Sequence, residues 1–237
     1  MAEEKPVIWK GEADCPLCQT KFNVENVWLN RVKFQEVYTD LAKKYESVNP
    51  MVYEIWVCPN CFYAAYKKEI FKDISDLNMS TFKQLEPVRK KLGSIYPKNN
   101  ERTLDVGVLS FKLALVTLQS RKDVSAAKFA SFFYRIAWVY RQQGDKDLEV
   151  KYMKLALQRY ENAYEKEMEP QIGKMGETGL VYTMGELSRR TGDDKKAQEY
   201  FMKVITNKEM TGDPKYLKYC RDMLSGIKEG SAPNFWK

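Results

Sequence analysis

The segment FYRIAWVYRQQGD, residues 133–145, decides the fold of this chain. Apolar residues fall at helical spacing around the small Ala137, and Gly-Asp closes the run. The same pattern returns as VYTMGELSRRTGD at residues 181–193, 48 residues later. A small residue lets two helices approach, while Gly-Asp ends one helix and caps the next. The two copies predict helical hairpins of the tetratricopeptide kind.

Helical periodicity extends beyond the two copies. We predict a mainly α fold, in which residues 104–228 form a tetratricopeptide-like α-solenoid of helical hairpins. Residues 76–103 read as a linker, with a helix over 80–92 and a loop at 98–100. Residues 229–237 read as a tail.

Two C-P-x-C motifs stand before the helical region, at Cys15–Cys18 and Cys58–Cys61. Each motif presents two thiolates at a tight turn, and two such turns can surround one metal ion. Four thiolates favour Zn²⁺ in a closed, structural site with no open coordination position. A mononuclear iron site uses similar ligands and is the less favoured metal, and thiol redox chemistry is the other alternative.

Residues 1–75 therefore read as a small β-rich, zinc-ribbon-like module, in which the metal substitutes for a large core. Residues 51–57 are β-branched and aromatic, and they predict a strand that runs into the second motif. Residues 38–47 fit a short helix or a loop, and residues 62–66 predict a helical turn.

Composition limits the function classes. The chain of 237 residues has no histidine and no glycine-rich phosphate loop, so we expect no enzyme. It has no signal-peptide pattern and no run long enough to span a membrane, so we expect a cytoplasmic protein. The net charge is +7, yet residues 1–75 hold 10 Lys and Arg against 11 Asp and Glu. The basic charge thus lies in the helical part, where Lys and Glu are interleaved.

One helical face of the two repeats carries aromatic and arginine side chains. We predict that this face binds a partner, with the following residues: Tyr134, Arg135, Trp138, Arg141, Tyr182 and Arg189. Guanidinium groups beside large amphipathic rings suit a protein or peptide partner with acidic groups. The alternatives are an ordinary solvated helix surface and a nucleic-acid-binding protein that uses the basic helical part together with the zinc module.

Two further features have plain interpretations. Cys220 lies in the predicted closing helix, and we predict that it packs as a small buried hydrophobic residue rather than acting as a reactive thiol. Phe235-Trp236 at the end of the chain fits an anchoring tail or peptide motif, docking on the protein's own surface, or disorder.

Four segments together resemble a known bacterial family, the domain of unknown function 2225: CPLC at 15–18, NPMVYEIWVCPNCFYAA at 49–65, KLAL at 112–115 and YRIAWVYRQQGD at 134–145. The resemblance covers nearly the whole chain. It implies a two-knuckle cysteine module followed by tetratricopeptide-like helices in a bacterial cytosolic protein, and it implies no activity. The family pattern favours glycine after each second cysteine, where this chain has Gln19 and Phe62.

Overall fold

The structure is a computed structural model that describes residues 6–97, 102–168, 170, 172, 175–207, 210 and 213–236. Its strands are β1 (Ile8–Asp14), β2 (Lys21–Val27), β3 (Phe34–Tyr38), β4 (Lys43–Tyr45), β5 (Ile55–Val57), β6 (Ala64–Tyr66) and β7 (Phe235–Trp236). Its helices are α1 (Glu69–Lys72), α2 (Met79–Gln84), α3 (Glu86–Gly93), α4 (Leu104–Leu118), α5 (Ala126–Gln143), α6 (Lys146–Lys166), α7 (Gly176–Arg190), α8 (Asp194–Thr206) and α9 (Lys215–Lys228). The described chain is thus mainly helical, with small β-sheets.

The chain divides into two compact units. The cysteine unit comprises Met1–Phe34 and Tyr45–Val124, and the helical unit comprises Gln35–Lys44 and Ser125–Lys237. This division differs from the predicted boundary at residue 104. The reason is that α4 packs against β5, β6 and α3, so that it completes the core of the cysteine unit.

Two antiparallel hairpins build the β part of the cysteine unit. β1 pairs with β2 from Ile8↔Val27 to Asp14↔Lys21, and β5 pairs with β6 from Ile55↔Tyr66 to Val57↔Ala64. Polar and apolar residues alternate along β2, which buries one face of the strand.

Three local predictions in this region were wrong or too coarse. Residues 51–57 do not form one strand, because Asn49 caps a 3₁₀ helix over Pro50–Tyr53 before β5 begins. Residues 62–66 end in the strand β6 rather than a helical turn. Residues 38–47, predicted as a helix or a loop, contain the turn of the β3–β4 hairpin and the strand β4. The strands β6 and β4 form because they pair with β5 and β3, and this pairing overrides the local pattern.

The predicted linker helix is broken in two. α2 ends at Gln84, and α3 begins at Glu86 with Pro87 in its first turn. Proline is tolerated in the first turn because a backbone N–H at that position would have no acceptor within the helix, so nothing is lost when proline lacks one. The predicted loop at 98–100 lies outside the described residues.

The helical unit contains two hairpins, α5–α6 and α7–α8, with α9 packed against α7 and α8. Gly144 and Gly192 adopt the left-handed conformation, with φ of 80° and 92°. The aspartates that follow them cap α6 and α8 by accepting the Leu148 and Lys196 backbone N–H groups at 3.0 Å. The turn chemistry predicted from the Gly-Asp pairs is confirmed.

The two small residues of the repeats lie where helices touch. Ala137 is fully buried, and a Cβ atom placed on Gly185 would stand 2.5 Å from the Phe201 ring of α8. A larger residue at Gly185 would force this helix pair apart.

A small sheet completes the helical unit. Its strand order is β4-β3-β7, with β7 antiparallel to β3 through Val37↔Trp236 and Tyr38↔Phe235. We call residues Gln35–Lys44, which carry the turn between β3 and β4, the docked hairpin.

Candidate metal centre and groove

The first cysteine knuckle lies at the turn between β1 and β2. Cys15 is buried; its backbone N–H donates to the Thr20 carbonyl at 3.0 Å, and its carbonyl accepts from Gln19 N–H at 3.0 Å. Gln19 has a φ of 59°, a left-handed value that favours glycine. The backbone thereby folds so that Cys15 and Cys18 point the same way.

The second knuckle, between β5 and β6, repeats this geometry. Cys58 N–H donates to the Tyr63 carbonyl at 2.9 Å, and Phe62 N–H donates to the Cys58 carbonyl at 3.0 Å. Phe62 has a φ of 57°. Both knuckles therefore place a non-glycine residue where the turn needs a positive φ, and this need explains why glycine suits the position.

The four sulfur atoms converge. All lie within 4.8 Å of one another, with Cys15 Sγ 3.6 Å from Cys61 Sγ and Cys18 Sγ 3.5 Å from Cys58 Sγ. Tetrahedral Zn²⁺ with Zn–S bonds of about 2.3 Å separates its sulfur ligands by about 3.8 Å. The four cysteines named from the sequence could thus hold one metal ion, and their geometry fits zinc. Tetrahedral iron takes the same ligand set.

The thiols also compete for protons. Side-chain hydrogen bonds from Cys15 and Cys61 lower the pKa of Cys58 to about 2. The hydrogen bond with Cys58 in turn raises the pKa of Cys15 to about 12. One thiolate thus keeps a neighbour protonated, whereas a divalent cation stabilises all four as thiolates.

Most of the residues predicted to line a groove contact the docked hairpin. Asp40, at its turn, has a fully buried side chain in an ion pair with Arg141. Both terminal nitrogens of Arg141 donate hydrogen bonds to this carboxylate, Nη1 to Oδ1 at 3.0 Å and Nη2 to Oδ2 at 2.5 Å. The Trp138 indole N–H donates to Oδ2 at 3.1 Å. This is bidentate carboxylate recognition with an added neutral donor.

Neighbouring contacts hold the backbone of the same turn. Tyr134 donates to the Asp40 carbonyl at 3.2 Å, and Tyr182 donates to the Thr39 carbonyl at 2.5 Å. The Thr39 hydroxyl donates to Glu186 and accepts from Arg190 at 2.9 Å. We call the side chains around Thr39 and Asp40 the Asp40 pocket: Tyr134, Trp138, Arg141, Tyr182, Glu186, Arg189 and Arg190.

The charges in the Asp40 pocket are mutually satisfied. Burial alone would raise the pKa of Asp40, but Arg141 and Arg190 outweigh it and lower that pKa below its ordinary value. Arg141 also donates to the buried Glu149 at 2.7 Å, and Arg190 donates to Glu186 at 2.7 Å. Asp40 is therefore charged in the folded protein at neutral pH.

Five of the six predicted groove residues contact the docked hairpin. Arg189 reaches the Thr39 hydroxyl at 3.3 Å, whereas Arg135 donates to the Ser131 carbonyl of its own helix at 3.4 Å. The sequence patterns do not identify Arg190 or the occupant Asp40. Arg190 directly follows a predicted residue, but no motif marks Asp40.

The end of the chain docks on the helical unit, one of the three alternatives drawn from the sequence. Trp236 stacks on Tyr219 with ring centroids 4.2 Å apart, and its indole N–H donates to the Thr39 carbonyl at 3.3 Å. Cys220, in α9, is fully buried, and burial raises the pKa of its thiol to about 12. That environment fits the predicted packing role.

No helix in the described part of the chain has the length and apolar character needed to cross a membrane. No solved structure matches the chain. An "Uncharacterized protein" of Borreliella burgdorferi is 30% identical over 122 residues, which span 46% of this chain and 43% of that protein. The match thus spans less than half of the relative's length.

A family model described as "Uncharacterized protein conserved in bacteria (DUF2225)" matches residues 8–227, which include both knuckles, the docked hairpin and helices α1–α8. The chain belongs to this family.

Proposed function

We propose that this protein is a non-enzymatic interaction protein of the bacterial cytoplasm. A structural Zn(Cys)₄ site stabilises the cysteine unit, and a tetratricopeptide-like groove in the helical unit binds an acidic segment of a partner protein.

The Asp40 pocket is the observation that carries this proposal. Side chains from α5 and α7, in equivalent parts of the two sequence repeats, meet around one carboxylate-bearing turn. Protein surfaces that select acidic peptides use this combination of bidentate arginine and aromatic donors. The contacts with Asp40 therefore identify the chemistry that a partner segment would need.

The metal site supports a structural role in this proposal. Four cysteine ligands fill a tetrahedral zinc site, so no position remains for a water or a substrate. Cytoplasmic thiols stay reduced and available to a metal ion, which is consistent with the proposed location.

A peptide titration tests the groove. The probe is a fluorescent decapeptide with the sequence of residues 35–44, QEVYTDLAKK, together with a copy in which Asn replaces Asp. The receptor is the full-length Asp40→Ala variant, in which the docked hairpin no longer places a carboxylate in the Asp40 pocket. We expect the Asp peptide to bind at least about tenfold more tightly than the Asn peptide, because one buried charged pair separates them.

Equal binding of both peptides, or no binding by a folded variant, would overturn the groove proposal. Single-stranded DNA that binds this protein and is released steeply as salt rises would favour the nucleic-acid alternative instead.

A further inference from the structure

The Asp40 pocket is already filled, and it is filled by the protein's own chain. We propose that the docked hairpin is an internal ligand, and that a partner's acidic turn binds only by replacing it. This inference rests on the proposed function, because it concerns the regulation of the same groove.

Charge balance specifies what can replace the docked hairpin. Asp40, Glu149 and Glu186 face Arg141, Arg189 and Arg190, and all six side chains are at most 12% exposed. Withdrawal of Asp40 leaves three guanidinium groups with two carboxylates in a buried site. An uncompensated buried charge is strongly unfavourable, so a replacing segment must bring a carboxylate of its own.

The backbone of the docked turn is strained. Tyr38 N–H donates to the Ala42 carbonyl and Leu41 N–H to the Tyr38 carbonyl, each at 2.8 Å, which closes a tight turn. Leu41 lies in the left-handed region with a φ of 68°, where a side chain is disfavoured. Undocking releases this strain, which favours exchange.

The strand that covers the docked hairpin is short. β7 pairs with β3 through two residue pairs, and Thr39 N–H donates to the Asn234 carbonyl at 3.0 Å. Short, peripheral strands with few hydrogen bonds open at lower free energy than core helices. The docked hairpin can thus leave while α5 and α7 remain folded.

The covalent connection of the docked hairpin to the rest of the chain sets how strongly it competes with a partner for the Asp40 pocket. The docked hairpin is continuous with the cysteine unit at both ends, through Phe34 and Tyr45. A tethered ligand acts at a high effective concentration, so a partner must bind tightly or carry several contacts to displace it.

Hydrogen exchange on the native full-length protein tests local opening. We expect the amides of residues 38–42 to exchange at least about tenfold faster than the core amides of α7, after correction for intrinsic rates. Excess peptide QEVYTDLAKK should accelerate exchange in these residues, because it captures the open pocket, and the Asn copy should not. Equal protection of the docked hairpin and α7 would overturn the inference.

Affinity comparison gives an independent readout. The Asp peptide should bind wild-type protein at least about tenfold more weakly than the Asp40→Ala variant, since the internal ligand competes. Glu36→Gln is the matched control, because Glu36 is a carboxylate of the docked hairpin that pairs with Lys44 at the surface. It should bind the peptide as weakly as wild type.

Equal affinity for wild type and the Asp40→Ala variant would show that the docked hairpin does not compete, and it would overturn this inference alone. The groove proposal fails on a different result, loss of the preference for Asp over Asn within the Asp40→Ala variant.

Discussion

The four-cysteine cluster and the Asp40 pocket both join residues that lie far apart in the chain, but they hold together in opposite ways. The cluster brings together four sulfur ligands, which as thiolates carry the same charge and need a cation between them. The Asp40 pocket brings together carboxylates and guanidinium groups that neutralise one another. A cation from outside the chain would therefore hold the four thiolates together, whereas the charges of the Asp40 pocket are balanced by side chains of the chain itself.

The largest effect should come from breaking the cluster. Cys58→Ser removes one of the four candidate metal ligands, and a structural zinc ion would contribute about 10–16 kcal/mol of binding free energy that is coupled to folding. We expect the variant to lose its metal and the cysteine unit to lose protection in hydrogen exchange, while α5–α9 stay protected. Elemental analysis and exchange mass spectrometry measure both effects.

Cys220→Ala is the control, since Cys220 is a buried cysteine outside the cluster. It should retain about one zinc per chain. Wild-type protein that contains no metal after purification without chelators would contradict the account of the cluster.

A smaller loss of stability is expected when the Asp40 pocket is broken. Asp40→Ala leaves Arg141 and Arg190 with an unmatched buried charge, and breaking such a pair costs about 3–5 kcal/mol. Chemical denaturation of the zinc-loaded protein, followed by far-UV circular dichroism, measures the free energy of unfolding. The exposed Glu36→Gln should change it by less than about 1 kcal/mol.

The pH dependence provides a second check. Because the folded pKa of Asp40 lies below its ordinary value, its contribution is present above about pH 4 and is lost as pH falls through the folded pKa. The Asp40→Asn variant should lack this part of the acid destabilisation. The indole N–H resonance of Trp138, which donates to Asp40, reports the change at the site itself. An identical acid response in both proteins would exclude Asp40 as its source.

Helix packing in the helical unit gives a smaller effect still. Gly185→Leu drives a side chain into the fully buried Phe201, and overpacking of this kind costs about 1–3 kcal/mol. Trimming the ring in a Gly185→Leu/Phe201→Leu double variant should recover part of the loss. If the two substitutions instead destabilise additively in thermal unfolding, the residues do not meet at this interface.

The two sites also differ in how far the sequence predicts them. The cluster of four cysteines follows from two matched motifs, and the helical hairpins follow from Gly-Asp turns near Ala137 and Gly185, because each pattern encodes its own local geometry. The groove face was identified by helical spacing, but its occupant was not. Asp40 meets Arg141 across 101 residues, and nothing in the local pattern around Asp40 records that pairing.

Strands were predicted least well for a related reason. The 62–66 segment lacks a strand signal of its own, and β6 exists because it pairs with β5 and packs on α4. The tail had three equal interpretations for the same reason. The position of Trp236 in the tail is set by its stacking contact with Tyr219, a residue on another element.

The smallest predicted effect is a difference in how the two knuckles respond, in stability, to a glycine substitution. Both hold a non-glycine residue at positive φ, but Gln19 is exposed, whereas the Phe62 ring packs closely on Gly93. Gln19→Gly should therefore stabilise the zinc-loaded cysteine unit by about 1 kcal/mol, since it removes left-handed strain and little packing. Phe62→Gly relieves the same strain but leaves a gap beside α3, so it should destabilise. Thermal unfolding of both variants at saturating zinc measures the difference, and a Gln19→Gly variant less stable than wild type would show that this turn carries no strain.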